Sequence, residues 1–165
     1  MPYEPMPYSL ETDRLILQLW EESDAAGYRE LVGERGDEMP TLDEARDEIR
    51  GARESAPGRG IHGMTLRLRG DDEFLGYCAL VIGRATIDEP ELAYELLRSA
   101  QGNGYATEAA AAIVDAARAT GRQRLWSTVR TWNTPSFRVL EKVGFRRDHV
   151  TTDEQGEIVW NVLDL

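Results

Sequence analysis

The sequence predicts a single mixed α/β domain, and three observations predict it. Strand-like alternation and helical patterns with caps interleave from Asp13 to the C-terminus. No repeat and no linker divides the 165 residues, a length that suits one domain with a sizeable core. The stretch "ELAYELLRSAQGNGYATEAAAAIVDAA", from Glu91 to Ala117, passes from an apolar strand through two glycines into a long alanine-rich helix.

The elements follow in order. "MPYEPMPYSLE" has no basic start and no apolar core, so it is not a secretory signal. Residues 1–10 read as a short loose or extended tail, with Tyr3 and Tyr8 able to dock on the body, and residues 11–165 as the domain. Asp13 to Trp20 alternates as a first strand. Ser23 or Asp24 caps a helix to about Val32. Thr41 followed by Glu44 is a capping box that opens a second helix, and "SAPGRG" breaks it. "HGMTLRLR" and "EFLGYCALVIG" form a hairpin around "GDD". A strand from Glu91 to Leu97 leads to a helix that Gly121 stops. "RLWSTVR" is a further strand. "NTPSFRVLEKVG" is a short helix capped by Asn133, with Pro135 tolerated in the first turn. "FRRDHVT" and "EIVWNVLDL" close the chain as a strand pair.

Composition narrows the function. The net charge of -11 argues against non-specific nucleic-acid binding, which needs a basic surface, and leans towards a cationic partner or simply a well-solvated surface. No apolar stretch approaches the roughly 20 residues of a membrane span. The lone Cys78 rules out an internal disulfide framework, fits a reducing cytoplasm, and reads as a small buried hydrophobe. His62 and His149 are too far apart for a metal motif, so no metal is expected. Trp20, Trp126, Trp132 and Trp160 read as core or pocket walls rather than base-stacking platforms.

The glycine loop has its own chemistry. A strand feeding a helix through glycines presents free N–H groups and the positive end of the helix dipole, an arrangement that holds anions. Gly102 and Gly104 allow close backbone approach. Gln101 and Asn103 offer uncharged donors, and Ala106 keeps the first turn slim. The loop lacks the lysine of a P-loop, and Thr107 stands where a dinucleotide fingerprint needs a small residue. Taken alone, the loop is either an anion cradle or a tight turn.

"QGNGYA" together with the later "NTPSFRVLEKVGF" resembles the GNAT superfamily of acetyl-CoA-dependent acetyltransferases. "ETDRLILQ" and "ELAYELLRSAQGNGYATEA" are most similar to its RimJ/RimL-type subgroup, and the resemblance covers about Glu11 to Leu165. It implies a mostly antiparallel sheet with helices on both faces and a splayed parallel central pair, Glu91–Leu97 and Arg124–Arg130. It implies acetyl-CoA as co-substrate, its pantetheine paired with backbone near Leu96, Leu97 and Arg98. Its diphosphate would rest on Gln101, Gly102, Asn103, Gly104, Tyr105, Ala106 and Thr107, with Asn133 and Ser136 at the next helix. The implied activity is direct acetyl transfer to a primary amine, either a protein N-terminus or a small amine. The alternative is a non-catalytic acyl-CoA-binding module of the same fold.

Acetyl transfer needs an amine that loses a proton, donors for the oxyanion, and support for the leaving thiolate. By resemblance, Glu91 is the candidate base, acting through a water, and it shares a strand face with Ala93 and Glu95. Ser136 is the candidate support for the thiolate, because Leu140 occupies the position where many relatives carry a tyrosine. Backbone N–H near Leu97 is the expected oxyanion donor. Ala93 and Glu95 replace the subgroup's glycine and tryptophan, and Glu95 beside Glu91 favours a cationic acceptor. Asn103 replaces a lysine, so phosphate binding leans on backbone amides. An exposed edge strand would support a homodimer.

Overall fold

The computed structural model describes residues 3–165. The strands are β1 (Ser9–Glu11), β2 (Leu15–Leu19), β3 (Gly63–Leu68), β4 (Phe74–Val81), β5 (Glu91–Leu96), β6 (Arg124–Arg130), β7 (Arg146–Asp153) and β8 (Gly156–Asp164). The helices are α1 (Ala25–Glu34), α2 (Leu42–Arg59), α3 (Tyr105–Ala119) and α4 (Thr134–Lys142). One eight-stranded sheet has the order β1-β2-β3-β4-β5-β6-β8-β7. Every neighbouring pair is antiparallel except β5 and β6, which are parallel and share only the bridge Glu91↔Trp126. Beyond that bridge the two strands part, so a wedge opens towards their C-terminal ends. The expected splayed pair is therefore present, and it lies at the centre of the sheet.

Alternation along β4 sorts the two faces, with a one-residue slip between Phe74 and Gly76 where the pairing with β3 shifts register. Leu75, Cys78 and Leu80 pack in one core with Ile113 and Val114 of α3 and Phe137 and Leu140 of α4. Phe74 and Tyr77 pack instead against Trp20, Leu31, Ala45 and Ile49 on the α1/α2 side. The alanines of α3 explain its closeness to the sheet: Ala109, Ala110, Ala116 and Ala117 are buried, and small side chains let the helix backbone sit low. Burial pushes the Cys78 thiol up to about 12, so it is packing rather than chemistry.

Two expectations are corrected. α2 does not break at "SAPGRG" but runs through Pro57 to Arg59. Pro57 lies in the last turn, where it forfeits one backbone bond, and the helix closes on Gly60 in the left-handed region (φ 69°), whose N–H returns to Ala56. The N-terminal tail is not loose: Met6 is buried in the main core, and its N–H donates to Gly60 O. The Arg122 guanidinium lies over the Tyr3 ring, 4.4 Å from its centroid. The capping box at Thr41 and Glu44 forms as expected, each side chain meeting the other's backbone N–H.

Candidate active site

The mouth of the wedge is a groove of about 640 Å³. Its walls come from the glycine loop, β5, α4 and the C-terminal end of α1, so it reaches from the α3/α4 face to α1 on the other face. Leu96, Arg98, Gln101, Gly102, Gly104, Tyr105, Ala106, Thr107, Asn133 and Ser136 of the expected set all line it. Leu97, Asn103 and Glu91 do not.

The glycine loop is built to present amides. Gly102 and Gly104 hold φ of 81° and 80°, a left-handed geometry that favours glycine. The first intrahelical bond of α3 runs from Glu108 N–H to Gly104 O, so the N–H groups of Tyr105, Ala106 and Thr107 have no helical partner. Asn103 turns inward rather than towards the groove, and its amide donates to Ala100 O and Gln101 O. The loop is braced from behind by Arg14, which no reading of the sequence singled out. Arg14 Nε meets Glu108 Oε1 at 2.7 Å, its Nη1 donates to Asn103 O, and its guanidinium lies over Tyr105. Thr12 Oγ1 and Arg14 N–H complete the hold on Glu108. Only the length of chain between Arg14 and Glu108 hid this pair.

Burial raises the Glu108 carboxyl, but the bonds from Thr12 and Arg14 together outweigh it and hold the group below its ordinary value. A depressed carboxyl stabilises the fold above its ordinary range and loses that contribution as pH falls through its folded value. Glu108→Gln is therefore expected to cost about 1 kcal/mol at neutral pH. The difference from wild type should vanish once the medium is more acidic than the ordinary carboxylate range. Thermal melts across pH check this, and a pH-independent difference would contradict it.

On β5 the backbone direction decides which groups face the wedge. Leu97 N–H donates to Leu75 O of β4, so the expected oxyanion donor at Leu97 is turned away. Alternation then turns Leu92, Tyr94 and Leu96 towards the gap. Leu92 O accepts from Ser127 Oγ at 2.8 Å, and Leu96 O accepts from Gln101 Nε2 at 3.1 Å. The N–H groups of Tyr94 and Leu96 project into the gap. Arg98 N–H is held by Glu34 Oε2 at 2.8 Å, and Arg98 Nη2 donates to Glu34 O.

Register places Glu91, Ala93 and Glu95 opposite Val81, Ala79 and Tyr77, on one face as expected, and Tyr77 marks that face as the α1/α2 side. Their environments differ from expectation. Both oxygens of Glu95 are taken by Arg35, at 2.7 and 3.0 Å, so it offers no free negative charge and gives no preference for a cationic acceptor. Glu91 sits at the closed end of the wedge, 5% exposed. Its Oε2 accepts from Arg84 N–H at 2.9 Å, while Oε1 is buried without a protein partner among the described residues. On α4, Asn133 makes no capping bond with its side chain, which is left to the groove. Ser136 is tied through its main chain: its N–H donates to Asn133 O, and its carbonyl accepts from Tyr94 Oη.

Amides without partners, a groove long enough for an extended arm, and the cations of Arg98, Arg138 and Lys142 on its wall fit a phosphorylated acyl carrier. Residues 14–146 match the family model for the acetyltransferase (GNAT) domain. The chain belongs to the GNAT acetyltransferase family. It is 22% identical over 145 residues to the uncharacterized N-acetyltransferase p20 of Bacillus licheniformis, covering 87% of this chain and 79% of that one. Among solved structures it resembles Mycobacterium smegmatis RimJ in complex with CoA-disulfide. There the TM-score is 0.77 and identity 22%, over 98% of this chain and 85% of that one. It also resembles the ribosomal-protein-S5-alanine acetyltransferase of Vibrio fischeri, with TM-score 0.81 and 14% identity over 96% and 97% of the two chains. This GNAT protein is an enzyme that uses acetyl-CoA and transfers the acetyl group to an amine. Among the described residues, no group of three His, Cys, Asp or Glu side chains is placed to hold a metal ion, and no helix is long and apolar enough to cross a membrane.

Proposed function

We propose that this acetyltransferase acts on the α-amine of a peptide or protein N-terminus. One observation carries the reading: the groove is continuous from the α3 amides through the wedge to Leu31, Glu34 and Arg35 of α1. An acetyl donor laid from the α3 end presents its thioester to an acceptor arriving along α1. The acceptor end is open enough for a chain terminus. Its one strand carboxylate, Glu95, is neutralised by Arg35. That leaves Glu34 as a single carboxylate there without an ion pair among the described residues, one charge suited to one amine rather than a patch for a multiply charged one. An α-amine has an ordinary pKa of about 7.7–8.0, against about 10.4 for lysine, so far more of it is unprotonated at neutral pH. The ribosomal-protein acetyltransferase among the structural neighbours supports the same acceptor class.

In this proposal the amides of Tyr105, Ala106 and Thr107 hold the diphosphate, and those of Tyr94 and Leu96 face the thioester carbonyl. Ser136 lies beside the sulfur. Glu91 draws the amine's proton through a water, its unpartnered Oε1 being the free acceptor at the closed end of the wedge. The buried lone thiol fits a reducing compartment, and we place the enzyme in the cytoplasm.

Thiol release from acetyl-CoA tests the reading over three acceptor sets: peptides with a free N-terminus, the same peptides N-blocked but lysine-bearing, and small polyamines. Free α-amines are expected to turn over fastest by at least about tenfold, in line with the pKa gap. Faster release with blocked, lysine-bearing peptides would sink the acceptor assignment. Glu91→Gln should lower the rate most on the acidic side; an unchanged pH profile would remove Glu91 from the mechanism.

A further inference from the structure

The leaving sulfur has no phenol waiting for it on α4, because Leu140 stands there and is buried in the main core. A phenol does reach the groove from the strand. Tyr94 lies midway along β5 opposite Cys78, which places its ring on the α3/α4 face of the sheet. Its hydroxyl crosses to α4 and donates to the Ser136 carbonyl at 3.0 Å. Tyr94 also lines the groove. We propose that Tyr94 is a catalytic hydrogen-bond donor to the sulfur of the acetyl thioester as that sulfur leaves.

The inference rests on acetyl transfer in this groove, and three features support it. The backbone N–H of the same residue projects into the gap, so one residue offers a donor on the carbonyl side and a donor beside α4. The hydroxyl can leave its present partner at little cost, since Ser136 O lies in the first turn of α4, where a carbonyl also receives the N–H four residues on. Burial raises the phenol's pKa, so the hydroxyl keeps its proton through the working pH range and remains a donor. The other tyrosine of the groove, Tyr105, lies under Arg14 at the phosphate loop and is occupied there.

The chemistry balances. The amine nitrogen bonds to the thioester carbonyl carbon, and the C–S bond breaks with its electron pair going to sulfur. Tyr94 Oη–H lowers the energy of that charge. The proton lost by the amine ends on the thiol, so amine and thioester become amide and thiol with no other reactant.

Tyr94→Phe removes one oxygen and keeps the ring. It is expected to lower kcat about 10–100-fold, with the KM for acetyl-CoA within about threefold. The deficit should shrink when the acetyl donor is a thioester of a more acidic thiol, which needs less help to leave. Ultraviolet titration of the thiol of bound coenzyme A should show its pKa about one unit higher in the variant. A deficit equal for every leaving group would mean a structural role and overturn the proposal, as would an unchanged kcat. If the phenylalanine variant does not fold, 3-fluorotyrosine at position 94 keeps the ring and makes a stronger donor. The bound thiol must then titrate lower, and an unmoved titration overturns the proposal. Should wild type release no thiol with any amine, the acceptor reading fails separately, and the bound-thiol titration still decides Tyr94.

Discussion

Ala106→Asp should abolish useful acetyl-CoA binding while leaving the protein as stable as wild type or slightly more so. Ala106 is the second residue of α3 and lines the groove at the loop end. A carboxylate in the first turn of a helix is favoured by the dipole, by about 0.3–1 kcal/mol. The same carboxylate would face the position of the diphosphate. Two unit charges about 5 Å apart repel by about 3 kcal/mol at an effective dielectric near 20, which is roughly 100-fold in affinity. The two effects therefore have opposite signs, and a general loss of structure cannot imitate them. Calorimetric titration with coenzyme A and a thermal melt of the same sample measure both. Ala106→Asn, of the same size without the charge, should lose much less affinity. Equal binding by the aspartate variant and wild type would mean that the diphosphate does not sit on the start of α3.

Much of this site was legible because it is local. Two glycines at the start of a helix, an Asn-x-x-Ser segment at the next, and a Thr-x-x-Glu box each describe a few consecutive residues, and backbone geometry follows from such patterns directly. Several of the misplaced features are relations between distant segments. Arg14 and Glu108 are 94 positions apart, and nothing near either residue announces the other. Arg35 reaches Glu95 across 60 positions, which turned an apparent anionic patch into a neutral pair. Leu97 was misjudged for another reason. A strand's pattern gives the side on which its side chains lie, but the direction of its N–H groups depends on which neighbour it pairs with, and that is set by register. The prolines of the N-terminal tail suggest a loose segment, yet Met6 enters the core, Tyr3 packs on Arg122 and the Glu4 N–H donates to Thr120 O.

The net charge of -11 likewise says little about the groove. The cofactor is a polyanion, and the groove wall that meets it carries Arg98, Arg138 and the only lysine of the chain, Lys142. Among the described residues, neither Arg138 nor Lys142 has a carboxylate within ion-pair distance. Many of the carboxylates lie elsewhere, some of them paired with arginines on exposed helix faces, as in Asp43–Arg46 and Asp47–Arg50. Such pairs contribute little to stability and keep the surface solvated. Local charge, rather than its sum, decides what the groove admits.

Gly76→Ala should be among the most damaging single substitutions in the chain, and its effect on cofactor binding should exceed its effect on folding. Gly76 lies in β4 opposite Leu96, at the open end of the wedge, at a φ of 148°. A β-carbon there would lie 2.1 Å from Glu95 O and 2.8 Å from Leu96 Cα. Both obstacles are backbone, so no side-chain rotation relieves them; the C-terminal half of β5 must move. The expected loss is on the order of 3 kcal/mol. At about 2–4 °C per kcal/mol for a domain of this size, the melting temperature should fall by roughly 6–12 °C. Molecules that remain folded carry a displaced β5, so the N–H groups of Tyr94 and Leu96 no longer meet the gap, and coenzyme A binding should fall further than stability alone explains. Gly102→Ala is the contrast: its φ is 81°, but nothing lies within 4 Å of an added β-carbon. It should cost only the left-handed penalty of about 1–2 kcal/mol. If Gly76→Ala melts within about 2 °C of wild type, less than 1 kcal/mol on the same scale, β4 and β5 do not pair in this register, and the wedge that organises the site is misplaced.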